Sequence, residues 1–504
     1  MPKKSQSASR PFYITTTLPY VNSAPHIGHA MEFIRADVIA RYKKLTGFEV
    51  FFNTGTDEHG IKVYRKAAEA GKSPQEFVDN CAEKFKRLLP AIGISPDINF
   101  IRTTDSRHVA AAEEFWKRCE KNGDIYKKKY KIKYCVGCEL EKTESELVND
   151  RCPLHPGQAI EIIEEENYFF RFSKYQKPLL DLYRKTPDFV IPDSRFGEIR
   201  TFVLRGLEDF SISRLASKMP WGVPVPNDPA QVMYVWFDAL VSYISAIGWP
   251  EKAADFEKWW NESGGVIQYC GKDNLRQQSA MWQAMLMSAG LSPSRQIVIN
   301  GFITHDGRKM SKSEGNVIDP FSVVKEYGSC GADALRYFVV RELHPFEDSD
   351  FTMEKFKNAY NSHLANGLGN LVSRVMKMAE ANLPAPVSVP NEDFSGDAVQ
   401  NKTILGDILP PDFKKALDEF DIQKATNVIW AQIGALDATI QETAPFKLIK
   451  TEKKQALKII KELVAGLYQI ATELQPIMPE TATKIMALVK ANNAPESPIF
   501  PRRD

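Results

Sequence analysis

The chain reads Phe12-Tyr-Ile-Thr-Thr-Thr17, then Leu18-Pro-Tyr-Val-Asn-Ser-Ala-Pro25, then His26-Ile-Gly-His29. The first run is β-branched and aromatic and predicts a strand. The segment ending at Pro25 is a turn, and helical periodicity follows from His26 to Leu45, with Pro25 suited to the first helical turn. A second strand is expected over 49–53, then a glycine-containing loop and helices to about Leu89. Strand, crossover helix and strand in that order predict a parallel, doubly wound sheet.

Downstream, the pattern breaks between about 126 and 220 into short strands, turns and a cysteine cluster, as an insertion would. The rhythm resumes near Val232, with strands expected over 266–270 and 296–299. The apolar stretch 232–249 predicts a buried helix lining a pocket, since a membrane span would hold Asp238 at a cost of roughly 3 kcal/mol. Helical periodicity dominates 357–382 and 411–486, with a loop over 383–406, and predicts a helical bundle. At 504 residues the chain exceeds one compact core. Five segments are expected: 1–120 and 221–300 as halves of a catalytic Rossmann-type domain, 121–220 as the insertion, 301–360 as a loop and connecting region, and 361–504 as the all-α part.

Lys plus Arg number 65 against 64 Asp plus Glu, so the net charge of +1 supplies no global basic field. Any RNA contact must come from local patches, such as the lysine-rich run 127–133, which reads equally as a solvated strand edge. The polar start 1–10 is not expected to act as a signal peptide, and it is short for a transit peptide. Seven cysteines without regular pairing argue against a disulfide framework and for a reducing cytoplasm.

Three constellations carry chemistry. His26-Ile27-Gly28-His29 sits where a turn becomes a helix N-terminus, a place that attracts anions; the competing reading is a helix cap and a satisfied polar pair. The loop 304–316 (THDGRKMSKSEGN) offers Lys309 and Lys312 on flexible stems, with Gly307 and Gly315 as hinges, to close over a triphosphate; by charge alone it is a solvated loop. Cys135-x2-Cys138 and Cys152-x2-His155 form two close pairs of soft ligands, suited to a closed tetrahedral zinc site, as against a run of reduced thiols.

HIGH followed by KMSKS resembles the paired signature of class I aminoacyl-tRNA synthetases, and both match without substitution. No P-loop or dinucleotide fingerprint competes. Leu18-Pro-Tyr-Val-Asn22, Thr56-Asp-Glu-His-Gly60, Tyr234-Val-Trp-Phe-Asp-Ala239 and Gly271-Lys-Asp273 are similar to the methionine-specific members of that family, over nearly the whole chain. The resemblance implies an α/β fold with an inserted zinc knuckle and an all-α anticodon-binding bundle. It implies that His26, His29, Lys309 and Lys312 are catalytic, and that Gly28, Gly271, Asp273, Lys309 and Lys312 bind ATP with Mg2+. Asp57 would pair with the substrate ammonium, while Leu18, Tyr20, Trp236, Ala239, Tyr243 and Gln278 enclose the methionine side chain. Asn370, Arg374 and Phe446 would read the anticodon. Expected partners are ATP, L-methionine and tRNA(Met), with no membrane and no DNA. No further tRNA-binding or dimerisation module follows, so a monomer is expected. Gln278, Asn274, Leu240 and Phe446 depart from the family pattern, which often has His, an aliphatic residue, Pro and Trp there. The competing readings are a synthetase for another amino acid, a silent RNA-binding paralogue and a small-molecule nucleotidylyltransferase.

Overall fold

The computed structural model describes residues 9–138, 140–142, 146–310, 316–389 and 408–504. Its central sheet has six parallel strands: β1 (Pro11–Thr16), β2 (Glu49–Thr56), β3 (Asn99–Arg102), β4 (Val190–Ile191), β5 (Val266–Gly271) and β6 (Gln296–Asn300). They lie in the order β3-β2-β1-β5-β6-β4. Alternate residues serve opposite cores. Phe12, Ile14, Ile267, Tyr269 and Val298 pack on one face, and Tyr13, Val266, Cys270, Ile297 and Ile299 on the other. A sheet buried on both sides requires such continuous apolar runs. β2 extends past the expected 49–53 because Gly55 lets it lie tight against β3. A Cβ there would sit 1.9 Å from the Ile101 carbonyl oxygen.

The helix α1 (Ile27–Leu45) crosses from β1 to β2, and the strand order reverses between β1 and β5. β4 arises within the stretch 121–220, between the helices Gln176–Lys185 and Asp193–Leu204. The rest of that stretch builds a four-stranded sheet around the antiparallel pair Ile125–Cys135 and Glu161–Phe170. Its lysine-rich strand pairs on one side with the acidic strand, Lys129 opposite Glu166 and Lys131 opposite Glu164, and its other side is covered only from Lys133, so 127–132 is the solvated strand edge the sequence allowed.

The stretch 232–249 is not one helix. The strand Asp228–Met233 leads into two short helices, Val235–Ala239 and Ser242–Ser245. The Tyr243 carbonyl accepts from the Tyr13 hydroxyl at 2.7 Å instead of continuing a helical ladder. Beyond the sheet, Met353–Ala359, a π-helical segment Tyr360–Gly369 and Asn370–Asn382 run end to end. Four further helices join them in a bundle: Pro411–Asp418, Ile422–Thr443, Lys453–Leu474 and Pro479–Ala491. Of the expected loop 383–406, residues 390–406 lie outside the described residues. Among the described residues no helix is long and apolar enough to cross a membrane.

Candidate active site

A cleft of about 390 Å³ opens at the carboxyl ends of β1 and β5, where the strand order reverses. Doubly wound sheets gather ligands at that point because the neighbouring crossovers part in opposite directions. Leu18, Tyr20, Asp57, Trp236, Ala239, Tyr243 and Gln278 all line it, together with His26, Gly28, His29, Gly271 and Asp273.

α1 starts at Ile27, so Pro25 precedes the cap instead of lying in the first turn. His26 Nδ1 accepts the Gly28 N–H at 3.1 Å, and His29 Nδ1 accepts the His26 N–H at 3.2 Å. This reciprocal cap satisfies donors that a helix start leaves orphaned. It also fixes the tautomers. A ring nitrogen that accepts carries no proton, so both imidazoles are neutral with hydrogen at Nε2. The rings stack at 3.8 Å, which holds them as a pair.

At the other end of the cleft, the Trp236 indole N–H donates to the Tyr20 hydroxyl. Tyr20 is fixed against Asp57 by the main chain: Asp57 N–H donates to the Pro19 carbonyl at 3.0 Å, and Val21 N–H to the Asp57 carbonyl at 3.2 Å. Gln278 Nε2 donates to the Tyr243 hydroxyl at 2.7 Å. Behind this wall, burial pushes the Asp238 carboxyl up while His59, at 2.9 Å, opposes the shift. That partner explains how an acidic residue sits in an apolar stretch. Leu240 donates its N–H to the Trp236 carbonyl at 3.3 Å, a bond that a proline there could not make.

Glu32, Lys62 and Met310 also line the cleft and were not expected. Glu32 lies three residues after His29, on the same face of α1, a spacing visible in sequence. It accepts the Thr17 N–H at 2.7 Å. Lys62 has no such signal; its Nζ donates to the Gly137 carbonyl of the cysteine cluster at 3.3 Å.

Of the lysine-bearing loop 304–316, the strands Ile303–His305 and Arg308–Lys309 form a hairpin across Asp306 and Gly307, with φ of 52° and 70°. Asp-Gly at both left-handed positions makes a tight two-residue turn. Gly307 N–H is pinned by Asp350 at 2.9 Å, so Gly307 is a turn residue and not a hinge. Lys312 and Gly315 lie outside the described residues, as does the side chain of Lys309.

The ligand atoms of Cys135, Cys138, Cys152 and His155 all lie within 4.8 Å of one another. Cys138 Sγ is 3.4 Å from Cys152 Sγ and 3.2 Å from His155 Nδ1, and Cys135 Sγ is 3.8 Å from that nitrogen. A tetrahedron with zinc–ligand bonds of about 2.0–2.3 Å has edges of about 3.3–3.8 Å, so the group fits. A Cβ on Gly137 would lie 2.5 Å from the His155 ring, which makes the cradle specific for glycine. No disulfide joins any of the seven cysteines. In the bundle, Asn370 is exposed, Arg374 donates to Asp437 at 2.5 Å, and Phe446 is 50% exposed. Asp437 was not expected from sequence. Phe446 is turned outward by Ala444, whose φ of 40° breaks the preceding helix.

The family model for tRNA synthetases class I (M) matches residues 12–156 and 137–376. A methionine–tRNA ligase of a Nostoc species is 41% identical over 487 residues, 95% of this chain and 89% of that protein. The Thermotoga maritima methionine–tRNA ligase is 41% identical over 493 residues, 96% of this chain and 76% of that protein. Among solved structures, Mycobacterium tuberculosis methionyl-tRNA synthetase in complex with methionyl-adenylate superposes with a TM-score of 0.87 at 35% identity, covering 98% of this chain and 100% of that one. The apo form of the same enzyme gives a TM-score of 0.81 at 32% identity, covering 99% of each chain. With this agreement along nearly its whole length, the chain belongs to the methionyl-tRNA synthetases, the methionine–tRNA ligases of class I.

Proposed function

We propose that the cleft forms methionyl-adenylate from L-methionine and ATP, releasing pyrophosphate, and that methionine then passes to the 3′-terminal adenosine of tRNA(Met). The observation that carries this reading is the His26–His29 cap. Both rings are neutral and bear hydrogen at Nε2, as preorganised donors for the α-phosphate oxygens on which charge builds. Asp57 pairs with the substrate ammonium. Leu18, Tyr20, Trp236, Ala239, Tyr243 and Gln278 enclose the thioether, whose soft sulfur favours aromatic neighbours. Gly28 admits ATP close to the helix start, Gly271 and Asp273 hold its ribose, and Lys309 and Lys312 hold the departing phosphates. Mg2+ accompanies the triphosphate and neutralises part of its charge.

Cys135, Cys138, Cys152 and His155 hold a structural Zn2+, and Asn370, Arg374 and Phe446 read the anticodon. The segments 1–120 and 221–300, together with β4 from within 121–220, form the catalytic domain, the rest of 121–220 the knuckle insertion, 301–360 the loop and stem-contact region, and 361–504 the anticodon domain. The chain acts as a cytoplasmic monomer.

His26→Asn tests the central assignment, because its amide oxygen still accepts the Gly28 N–H while no donor replaces Nε2. Methionine-dependent ATP–pyrophosphate exchange is expected to fall roughly 10²–10³-fold in kcat, as for loss of an oxyanion donor. The melting temperature should stay where it was. An unchanged rate removes His26 from the phosphate site. Preferential exchange with another amino acid rejects the pocket assignment.

A further inference from the structure

Behind the cleft wall lies a hydrogen-bonded array with no charged member: Ser294, Gln283, Gln268, Gln278 and Tyr243, the most accessible only 5% exposed. Of these, Gln278 and Tyr243 line the cleft and the other three do not. The array has one direction, and a backbone group sets it. Ser294 N–H donates to the Gln283 side chain at 2.9 Å. A main-chain N–H can only donate, so the atom it meets is Oε1. Gln283 Nε2 is thereby the donor, to the Gln278 carbonyl at 2.7 Å and to Ser294 Oγ at 3.1 Å. The Ser294 hydroxyl then gives its own hydrogen to Gln268 Oε1 at 2.6 Å. Gln268 Nε2 in turn donates to Gln278 Oε1 at 2.5 Å, and Gln278 Nε2 to the Tyr243 hydroxyl oxygen at 2.7 Å.

The oxygen and nitrogen of a glutamine exchange only together, so each amide's orientation follows from the one before it. Tyr243 stands at the end as an acceptor. Its hydroxyl hydrogen has no acceptor among the described residues and is available to whatever fills the pocket.

We propose that Ser294, Gln283 and Gln268 are positioning residues for substrate selection: they hold Tyr243 as a hydrogen-bond donor to the pocket, favouring a side chain with a soft acceptor over a hydrocarbon of the same shape. This rests on the assignment of the pocket to methionine. A thioether sulfur is a weak acceptor, whereas norleucine has a methylene in its place. Norleucine would leave a buried donor unmet, which costs more than the bond itself gains. Hydrophobic fit alone separates near-isosteres poorly.

The test is ATP–pyrophosphate exchange, read as kcat/KM for methionine relative to norleucine. In Gln283→Glu the carboxylate still accepts the Ser294 N–H but has no amide hydrogen to give. The Ser294 hydroxyl then turns to it, and Gln268, Gln278 and Tyr243 reverse in sequence, leaving Tyr243 donating to Gln278. Ser294→Ala breaks the relay without adding charge, and decides the matter if the carboxylate variant does not fold. The methionine-to-norleucine ratio is expected to fall roughly three- to tenfold in each, about one neutral hydrogen bond, with norleucine changed less than about twofold. Equal losses for both substrates overturn the proposal, as does an unchanged ratio in a variant that melts like the unaltered chain. Absence of methionine-dependent exchange in the unaltered chain would overturn the pocket assignment and the relay with it.

Discussion

A carboxyl on the cleft face of α1 has little water to ionise into. Burial, with Asp273 nearby, pushes Glu32 up to about 8, against the opposing bond from the Thr17 N–H. The unfolded carboxyl ionises near 4.5, so between these values the folded chain holds a proton that the unfolded chain has lost. Stability therefore falls as pH rises through that window and levels off above it. Glu32→Gln keeps an acceptor for the Thr17 N–H and removes the titration. Urea midpoints measured near pH 5 and pH 8 should differ less in Glu32→Gln than in the unaltered chain. Equal differences would assign the pH dependence to other groups. The two histidines make a related point at the same scale. Capping and anion binding read as alternatives in the sequence, yet each ring has two nitrogens, and Nδ1 caps while Nε2 carries the donor hydrogen.

Among the elements, the cysteine knuckle touches the cleft as well as closing its own loop. The Gly137 carbonyl holds Lys62, and Glu146 pairs with Arg276 at 3.1 Å. Loss of the metal should therefore release a cleft lysine as well as loosen the insertion. Elemental analysis is expected to give about one zinc per chain, lost in Cys152→Ser, with kcat/KM for methionine activation reduced roughly tenfold while far-UV circular dichroism changes little. Full activity in the metal-free variant would separate knuckle from cleft. What was legible in sequence followed how local its causes were. β1, α1, β5 and the bundle helices carry their periodicity within their own residues, and the cleft residues inside contiguous motifs were readable for the same reason. The stretch 232–249 misled because its shape depends on Tyr13 and His59, 230 residues from Tyr243 and 179 from Asp238 respectively. Lys62 and Gln268 acquire their places only when distant strands meet. The Asp306-Gly307 turn was readable, but the charges around it suggested a mobile loop.

Sheet and bundle share one apolar core and one buried ion pair. Asp37 on α1 receives Arg336 at 2.8 Å and Arg41 at 2.7 Å, and these cations hold its carboxyl below the usual range despite burial. Arg336 also donates to the Pro476 carbonyl at 2.9 Å and the Ile477 carbonyl at 2.7 Å, just ahead of the last bundle helix. Arg35, two residues earlier on α1, donates to the Leu343 and His344 carbonyls at 3.2 and 2.9 Å. The helix that His26 caps is thus bonded to the segments leading into the bundle. Removing one partner of a buried pair strands the other, at about 3–5 kcal/mol. Arg336→Met should destabilise by roughly 3 kcal/mol, since Arg41 and Ser95 still serve Asp37. Of the eight tryptophans only Trp430 lies in the bundle helices, so fluorescence reports mainly the sheet side while far-UV ellipticity draws on the helices of both parts. In the unaltered chain the two signals should lose structure at the same urea concentration, as one cooperative unit. In Arg336→Met both midpoints should fall, and a gap between them would show that this pair joins the two parts. Separate transitions in the unaltered chain would instead mean that the shared apolar core does not couple them, and that the bundle helices unfold independently of the cleft.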